Sequence, residues 1–287
     1  MLLPPALCSQ SSPSSLDQNG RTGAATCEEI WDYLSSVPDS GIDEALDVLM
    51  WSLQEMADAD DISWLGFQGP GLLLPGSNEP KICQSGHAME GWDALARRQI
   101  NSDPERIAIA EDVIASAAQI PSLTSQALVK SVGSFRIHRL RDGFIDFEAY
   151  EQTEHFDLLY RKADIRDRIY VGHPVEMGAE SFLLIDRKGR DDYFTEKNVS
   201  DIENLLRPMG WLHRKVMKAH GIIGSTGVFD AMERRIFRLL LTSRGEPEIA
   251  ETLGQAPKTT HKYVTSLFRK MGVQGRPGFF ARWAGSD

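Results

Sequence analysis

Two spacings of apolar residues alternate along residues 27–194, one typical of helices and one typical of strands. From Ile42 to about Met56 the apolar side chains recur every three or four positions, which predicts an amphipathic helix that starts at Ser40 or Asp43. Apolar and alternating runs predict strands at residues 62–67, 92–100, 135–140, 169–175 and 181–186, with Gly178 in the last turn. Residues 103–118 are predicted as a helix, residues 147–160 as a loop with a short helix, and residues 69–88 as a long loop.

A longer helical pattern extends from Thr195 to His220, and Pro208 inside it is expected to kink the helix. Its apolar positions follow a three-four spacing, with His213 in the remaining position, and that spacing suits pairing with a second helix. We therefore predict a dimer interface that buries Val199, Ile202, Leu206 and Met209. The alternative is that this helix packs only on its own sheet. Residues 222–227, which include Gly224-Ser225-Thr226-Gly227, are predicted to form a flexible linker.

The stretch from Phe229 to Val273 predicts three short helices. Asp230 and Glu233 match a capping box at the start of the first helix. The second helix opens near Glu246-Pro247 and ends at Gly254. The third helix begins at Pro257, runs to about Met271 and is closed by Gly272.

The third of these helices has two different faces. Apolar side chains cluster on one face, at Val264, Leu267, Phe268 and Met271. The opposite face carries cations and hydrogen-bonding groups, and a DNA major groove admits one such helix. We expect Lys262, Thr265 and His261 to reach base edges, and Lys258, Thr259, Arg269 and Lys270 to contact phosphates, with Thr260 in the same DNA-binding set. A solvated helix face is the alternative. The helix–turn–helix spacing and the scarcity of acidic residues on the third helix favour DNA binding.

This segment resembles the C-terminal DNA-binding domain of LuxR-type transcriptional regulators, over roughly the last fifth of the chain. The matching residues are Glu233-Arg234-Arg235, Glu248-Ile249-Ala250-Glu251, Leu253-Gly254, Pro257-Lys258-Thr259-Thr260 and Leu267-Phe268-Arg269-Lys270-Met271-Gly272-Val273. The resemblance implies a tetrahelical helix–turn–helix domain that binds double-stranded DNA. Three positions depart from the family pattern: Ser243 stands where Gly is usual, Thr260 replaces a branched aliphatic residue, and Pro277-Gly278 interrupts the start of a last helix at Phe279–Trp283. That helix often forms the family's dimer contact, so the interruption puts this contact in doubt.

Charge divides unevenly along the chain, whose overall net charge is −10. From Val228 onward there are ten Lys and Arg residues against six Asp and Glu residues, a balance of +4. The remainder has 21 against 35, a balance of −14. A small basic DNA-binding part attached to an acidic part would show this asymmetry. The acidic part is not expected to favour nucleic acid or anionic membranes.

The upstream element order resembles GAF and PAS sensory domains, and residues 192–220 resemble the linker helix of bacterial regulators that share this layout. We therefore expect a disordered tail at residues 1–26, a GAF/PAS-like α/β (α+β) sensory domain at 27–194, a linker helix at 195–221, a flexible linker at 222–227 and a helix–turn–helix domain at 228–287. No stretch is long enough to span a membrane, and three widely spaced cysteines favour a reducing cytoplasm.

Aromatic residues are the candidates for a ligand pocket in the sensory domain. The candidate set is Trp64, Trp92, Phe147, Tyr150, Phe156 and Tyr160. Trp92 followed by Asp103-Pro104 is similar to part of the pocket signature of acyl-homoserine-lactone receptors, although Ala96 stands near the place of a tyrosine and the spacing is shorter. Plain core packing is the alternative for Trp92 and for the other aromatic residues.

These patterns favour a cytoplasmic bacterial transcription regulator that acts as a homodimer on DNA. Its sensory domain would bind a small-molecule effector or hold the dimer together, and RNA polymerase is a candidate partner. A quorum-sensing receptor and a ligand-free scaffold are the alternatives. No cofactor, metal or catalytic site is expected, because the seven histidines are scattered and no phosphate loop or nucleophile motif is present. A sigma factor is disfavoured because the part upstream of the helix–turn–helix is acidic and mixed α/β. A response regulator is disfavoured because the sequence lacks the acidic pair and the phosphoacceptor aspartate of a receiver domain.

Overall fold

The computed structural model describes residues 25–69, 88–89, 92–100, 120, 122–189 and 191–285. Most of the predicted tail at 1–26, nearly all of the loop at 69–88 and the predicted helix at 103–118 lie outside these residues. The tail prediction is wrong at its end. Thr26 caps the first helix, because its hydroxyl accepts from the amide of Glu29 while the Glu29 carboxylate accepts from the amide of Thr26.

The N-terminal part combines helices with an antiparallel sheet, which agrees with the α+β class. Two helices come first, α1 (Cys27–Ser36) and α2 (Ile42–Ala57), joined through a single 3-10 turn at Asp39–Gly41. The strands are β1 (Asp61–Gln68), β2 (Ala88–Met89), β3 (Trp92–Ile100), β4 (Arg136–Arg139), β5 (Ile165–Glu176) and β6 (Ala179–Lys188). Their order across the sheet is β2-β3-β1-β6-β5-β4, and every pairing is antiparallel. The five predicted strands are therefore confirmed, with β5 and β6 longer than predicted.

The two faces of the sheet belong to two hydrophobic cores. In β1 the side chains of Ile62 and Trp64 enter the first core, whereas Leu65 and Phe67 enter the second. The second core is closed by short helical segments, α3 (Leu123–Val129), α4 (Phe147–Tyr150), α5 (Glu154–Phe156) and a π-helical turn at Asp157–Arg161. The first core lies under α1, α2 and the two helices that follow β6, and it continues without a break into the C-terminal helices.

The predicted helix from Thr195 to His220 is two helices, α6 (Glu196–Leu206) and α7 (Gly210–Ala219). Thr195 caps α6 as expected, but the chain breaks at Pro208 rather than bending there, since proline cannot donate the next helical hydrogen bond. The predicted dimer stripe is wrong. Ile202, Leu206 and Met209 are fully buried in the first core of the same chain, where α6 packs on α2 and β4.

Residues 222–227 do not form a flexible linker. Ile222 and Ile223 are buried in the first core, and the hydroxyl of Ser225 donates to the carbonyl oxygens of Gly221 and Gly227. The amide of Thr226 donates to the carbonyl oxygen of Lys270 at 2.7 Å. Gly221 takes a left-handed conformation, with φ of 69°. The prediction failed because glycine and serine signal a break in regular structure without showing whether the break is packed.

Four helices complete the described chain: α8 (Ala231–Leu240), α9 (Glu246–Leu253), α10 (Pro257–Met271) and α11 (Gly275–Ala284). The capping box of Asp230 with Glu233 and the left-handed caps at Gly254 and Gly272 are confirmed. The last helix starts earlier than predicted. Pro277 lies in its first turn, where the missing amide hydrogen has no helical partner to lose. Among the described residues, no helix has the length and apolar character needed to cross a membrane.

Candidate functional sites

One face of α10 presents cations to solvent. Lys258, Lys262 and Arg269 are exposed, and so is Thr265. None of the three cations pairs with a carboxylate among the residues that the structure describes. The opposite face is anchored, because Val264, Leu267 and Met271 are buried in the first core. The helix is therefore held by its apolar side, and a row of positive charge faces water.

Two residues assigned to this face from the sequence do not belong to it. Thr260 is completely buried, and its hydroxyl donates to the side-chain oxygen of Gln255 at 3.2 Å. Lys270 is half-buried, and its ammonium group donates to the carboxylate of Glu233 at 2.6 Å and to the carbonyl oxygen of Val228 at 3.1 Å. Burial removes Thr260 from the surface that the sequence assigned to it, and contacts within the chain already engage the ammonium group of Lys270.

The remaining two predicted positions stay on the surface. Thr259 is exposed in the first turn of α10. His261 is exposed as well, and its Nδ1 lies 2.9 Å from a carboxylate oxygen of Glu246 at the start of α9. This contact ties the first turns of α9 and α10 together at the edge of the cationic face.

Four of the predicted aromatic ligand residues come together in the second core. Phe156 stacks on Tyr160 with ring centres 4.9 Å apart, and it meets Tyr150 edge-on at 5.4 Å. Phe147 packs edge-on against Phe156 at 5.8 Å and is half-buried. These rings form one aromatic cluster in the second core.

Trp64 does not join this cluster, so the six predicted residues are not one set. It is buried on the opposite face of the sheet, where its indole nitrogen donates to the hydroxyl of Ser181 at 2.8 Å and its ring lies 4.9 Å from that of His220. The backbone of Trp92 begins β3, but its side chain lies outside the described part of the structure.

Polar groups are buried among the aromatic cluster. Arg168 donates two hydrogen bonds to the carboxylate of Asp186, at 2.5 and 2.7 Å, and its guanidinium carbon lies 5.2 Å from the ring centre of Tyr160. The hydroxyls of Tyr160 and Tyr170 form a hydrogen bond with each other. Burial raises the pKa of both phenols, so both are neutral near pH 7. The second core therefore combines packed aromatic rings with oriented polar groups, both of which are common in the walls of small-molecule sites.

The hydroxyl of Tyr150 bonds to Nδ1 of His155 at 2.8 Å in the same core. Burial, together with the nearby charge of Arg168, lowers the pKa of His155 to about 4. His155 is therefore neutral at physiological pH. Tyr150 and His155 therefore form a neutral hydrogen-bonded pair inside the second core.

A third polar cluster joins the C-terminal helices to the start of α2. Arg238 of α8 forms an ion pair with Asp43, which is buried, and Nε2 of His220 lies 3.5 Å from the other oxygen of that carboxylate. Asp39 accepts a hydrogen bond from the indole nitrogen of Trp283 at 2.6 Å and one from Lys215 at 2.5 Å. We call the contacts of Asp39 and Asp43 with Trp283 and Arg238 the interdomain clasp.

Both carboxylates of the clasp are held ionised. Burial alone would raise the pKa of Asp43, but its contact with His220 and the charges of His220, Arg238 and Arg98 lower it to about 2. The pKa of Asp39 is also lowered, because hydrogen bonds from Lys215 and Trp283 outweigh its burial. Burial lowers the pKa of His220, which favours its neutral form.

Comparisons with known proteins give only distant structural likenesses. No protein-family model matches the chain, and no curated protein matches it in sequence. A structure of SdiA in complex with octanoyl-rac-glycerol is 14% identical with a TM-score of 0.38, and the match covers 90% of this chain and 92% of that one. Escherichia coli SdiA in another crystal structure gives 13% identity and a TM-score of 0.38, with 90% and 95% covered. The VqsR LBD domain from Pseudomonas aeruginosa gives 16% identity and a TM-score of 0.42, with 67% and 96% covered. At these values the likenesses determine neither a ligand nor a partner for this chain.

The clasp was not predicted from the sequence. Asp43 was interpreted as a helix-capping residue, yet α2 is preceded by Gly41 and has no side-chain cap. The partners of Asp39 and Asp43 lie 244 and 195 positions further along the chain, at Trp283 and Arg238. A local pattern contains no signal for such a pairing. The only indication in the sequence is an acidic residue near the start of a helix that does not cap that helix.

Proposed function

We propose that this chain is a DNA-binding transcription regulator whose α10 reads operator DNA and whose α/β part senses a small molecule or holds a dimer. The observation that carries the proposal is the solvent-facing row of Lys258, Lys262 and Arg269, on a helix whose other face is buried. The proposed role is binding rather than catalysis, in the bacterial cytoplasm.

Charge and shape both support double-stranded DNA as the partner of α10. An α-helix fits the DNA major groove, where Lys donates to guanine edges and to phosphates. Lys262 and Thr265 lie one helical turn apart or less, so they would face base edges together, with His261 beside them. Lys258, Thr259 and Arg269 would bind phosphates. Lys270, which is paired with Glu233, would instead support the fold.

The test is a salt titration of DNA binding with single substitutions on α10. Operator sequences would first be selected from a random DNA pool with the purified full chain. Lys262→Ala should weaken binding to the selected operator by ~1–3 kcal/mol and relax the sequence preference. Lys258→Ala should instead weaken binding to all DNA sequences alike and reduce the slope of log affinity against log salt by ~1.

Thr260→Val is the matched control for this titration, because the Thr260 side chain is buried beneath the same helix. It should leave DNA affinity and the salt slope close to those of the unmodified chain. If Lys262→Ala and Lys258→Ala bind as the unmodified chain does, α10 is not the DNA-reading helix.

The aromatic cluster supports a sensory role for the N-terminal part. Phe156 and Tyr160, with the buried Arg168–Asp186 pair, supply an apolar wall and oriented polar groups on one face of the sheet. A quorum-sensing receptor for an acyl-homoserine lactone and a ligand-free dimerisation scaffold are the alternatives. A small molecule that co-purifies with the chain, detected by native mass spectrometry, would favour sensing and give the ligand's mass.

We further propose that the regulator binds DNA as a homodimer, because two-fold symmetric operators match two reading helices. The stripe of α6 does not supply the interface, since Ile202 and Met209 are buried within one chain. Contact with RNA polymerase would belong to the same proposal if the regulator activates transcription.

A further inference from the structure

A cavity of 410 Å³ lies where the end of β5 and the helix α7 meet the C-terminal helices. Small-molecule sites in proteins have volumes of roughly 300–1,000 Å³, so this cavity can hold one small molecule. It is separate from the aromatic cluster. Its apolar lining residues belong to the first core, whereas the aromatic cluster belongs to the second core on the other face of the sheet.

Part of the cavity wall is apolar and fixed in position. The buried side chains that form it are Ile223, Phe229, Met271 and Trp283. The indole nitrogen of Trp283 donates to Asp39 at 2.6 Å, and its ring packs edge-on against Phe237 with ring centres 5.3 Å apart. A ligand that binds against this wall does not have to order these rings, which lowers the entropy cost of binding.

The rest of the lining carries an excess of positive charge. Arg214 and Lys218 come from α7, and Arg282 comes from α11. Glu176 is the one carboxylate among the described lining residues, and it lies 3.6 Å from a guanidinium nitrogen of Arg214. Three positive charges against one negative charge leave a balance of +2. The ammonium group of Lys218 also donates to the carbonyl oxygen of Gly285 at 2.9 Å, which holds it in place, and a carbonyl dipole does not cancel a full charge.

This arrangement of charges suits an anion. Arg214 and Lys218 lie four residues apart on α7, so their like charges face the same side of the helix and repel each other. The apolar wall strengthens that repulsion, because it lowers the local dielectric constant. An anion in the cavity would turn the repulsion into attraction. Guanidinium and ammonium groups are the donors with which proteins commonly bind carboxylates and phosphates.

We propose that this cavity binds a small organic anion, which carries a carboxylate or phosphate group on a flat apolar body. The anionic group is held by Arg214, Lys218 and Arg282. The apolar body packs against Phe229 and Trp283. The site lies outside both the second core and the cationic face of α10, so the proposal goes beyond the proposed function and does not depend on DNA binding.

Nuclear magnetic resonance titration of the full chain, without DNA and at constant ionic strength, tests the proposal. The probes are benzoate, phenyl phosphate and benzamide, which has nearly the shape of benzoate but no charge. The readout is the indole N–H signal of Trp283. Because α10 contains no tryptophan, this signal reports the cavity rather than the DNA-reading face. Both anions should shift the signal and saturate in the millimolar range, as expected for ligands of this size, and benzamide should bind on the order of tenfold more weakly than benzoate. The anion that binds more tightly identifies the group that the three cations prefer.

Arg214→Gln should weaken benzoate binding on the order of tenfold, because it removes a charge-assisted hydrogen bond from a half-exposed position outside the packed core. Arg207→Gln is the matched control. It removes the same charge at the end of α6, where Arg207 pairs with Glu203 and does not line the cavity, so benzoate affinity should stay unchanged. The proposal is overturned if neither anion shifts the Trp283 signal, if benzamide binds as tightly as benzoate, or if the two variants change benzoate affinity equally. The three probes on the unmodified chain already decide the first two points.

Discussion

Replacing Asp43 by asparagine should measure how much the interdomain clasp contributes to the free energy of unfolding of the chain. The carboxylate is buried, it pairs with Arg238, and its pKa is about 2 in the folded chain against an ordinary value of 3.8. This difference corresponds to ~2 kcal/mol of stability at neutral pH, since one pKa unit is worth ~1.4 kcal/mol. Asparagine keeps the shape of the side chain but loses its charge. Asp43→Asn should therefore lower the free energy of unfolding by ~2 kcal/mol at pH 7.

The pH dependence of this effect has a definite sign. Because the pKa of Asp43 is depressed by folding, its contribution is complete above the unfolded value of 3.8 and disappears as pH falls towards 2. The difference between the unmodified chain and Asp43→Asn should stay constant from about pH 7 to about pH 5 and fall to roughly half at about pH 3. The amide that replaces the carboxylate does not titrate, so the pH dependence comes from the unmodified chain.

Urea unfolding followed by circular dichroism at several pH values is the assay. Asp47→Asn on the same helix serves as the control, because its ion pair with Arg98 is partly exposed and should contribute at most ~1 kcal/mol. The reasoning is refuted if Asp43→Asn is as stable as the unmodified chain at pH 7. It is equally refuted if the stability difference does not change down to pH 3.

Two further substitutions test packing that the structure assigns to a single chain. Ile202→Ala should lower the free energy of unfolding by ~2–5 kcal/mol, because the side chain is fully buried, and the loss should be the same in urea titrations at low and high protein concentration. A loss that grows as concentration rises would instead place Ile202 at a dimer interface, because only the dimer would lose the contact. Gly66→Ala should cost ~1–3 kcal/mol in the same assay, since its added methyl group would lie 2.1 Å from Cδ1 of Ile222; an unchanged stability would mean that residues 222–227 are loosely packed after all.

Local signals in the sequence determined most of the secondary structure. The capping box of Asp230 and Glu233, the left-handed glycines Gly254 and Gly272, and the alternation along β5 and β6 depend on neighbours within a few residues. The apolar stripe of α10 also fixed which of its faces would be buried. Such features survive in any tertiary arrangement, because the backbone conformation and the side-chain period produce them.

The candidate sites depended more strongly on distant contacts. Spacing placed Lys258, Lys262 and Arg269 on one helix face, and the structure leaves all three exposed. The same spacing could not show that Lys270 pairs with Glu233, 37 positions away. It also could not show that Trp64 and Tyr150 lie on opposite faces of the sheet, because that depends on strand register and on which helices cover each face.

The sequence by itself determined most of the helices and strands of the described residues, the positive face of α10 and the acidic character of the rest. Only the tertiary structure decided that the stripe of α6 is internal, that residues 222–227 are packed, and that Asp39 and Asp43 bind Trp283 and Arg238. An apolar stripe has the same pattern whether it meets its own sheet or a second chain. A carboxylate has the same local sequence whether it caps a helix or pairs with a distant arginine, so the partner is known only once the chain has folded.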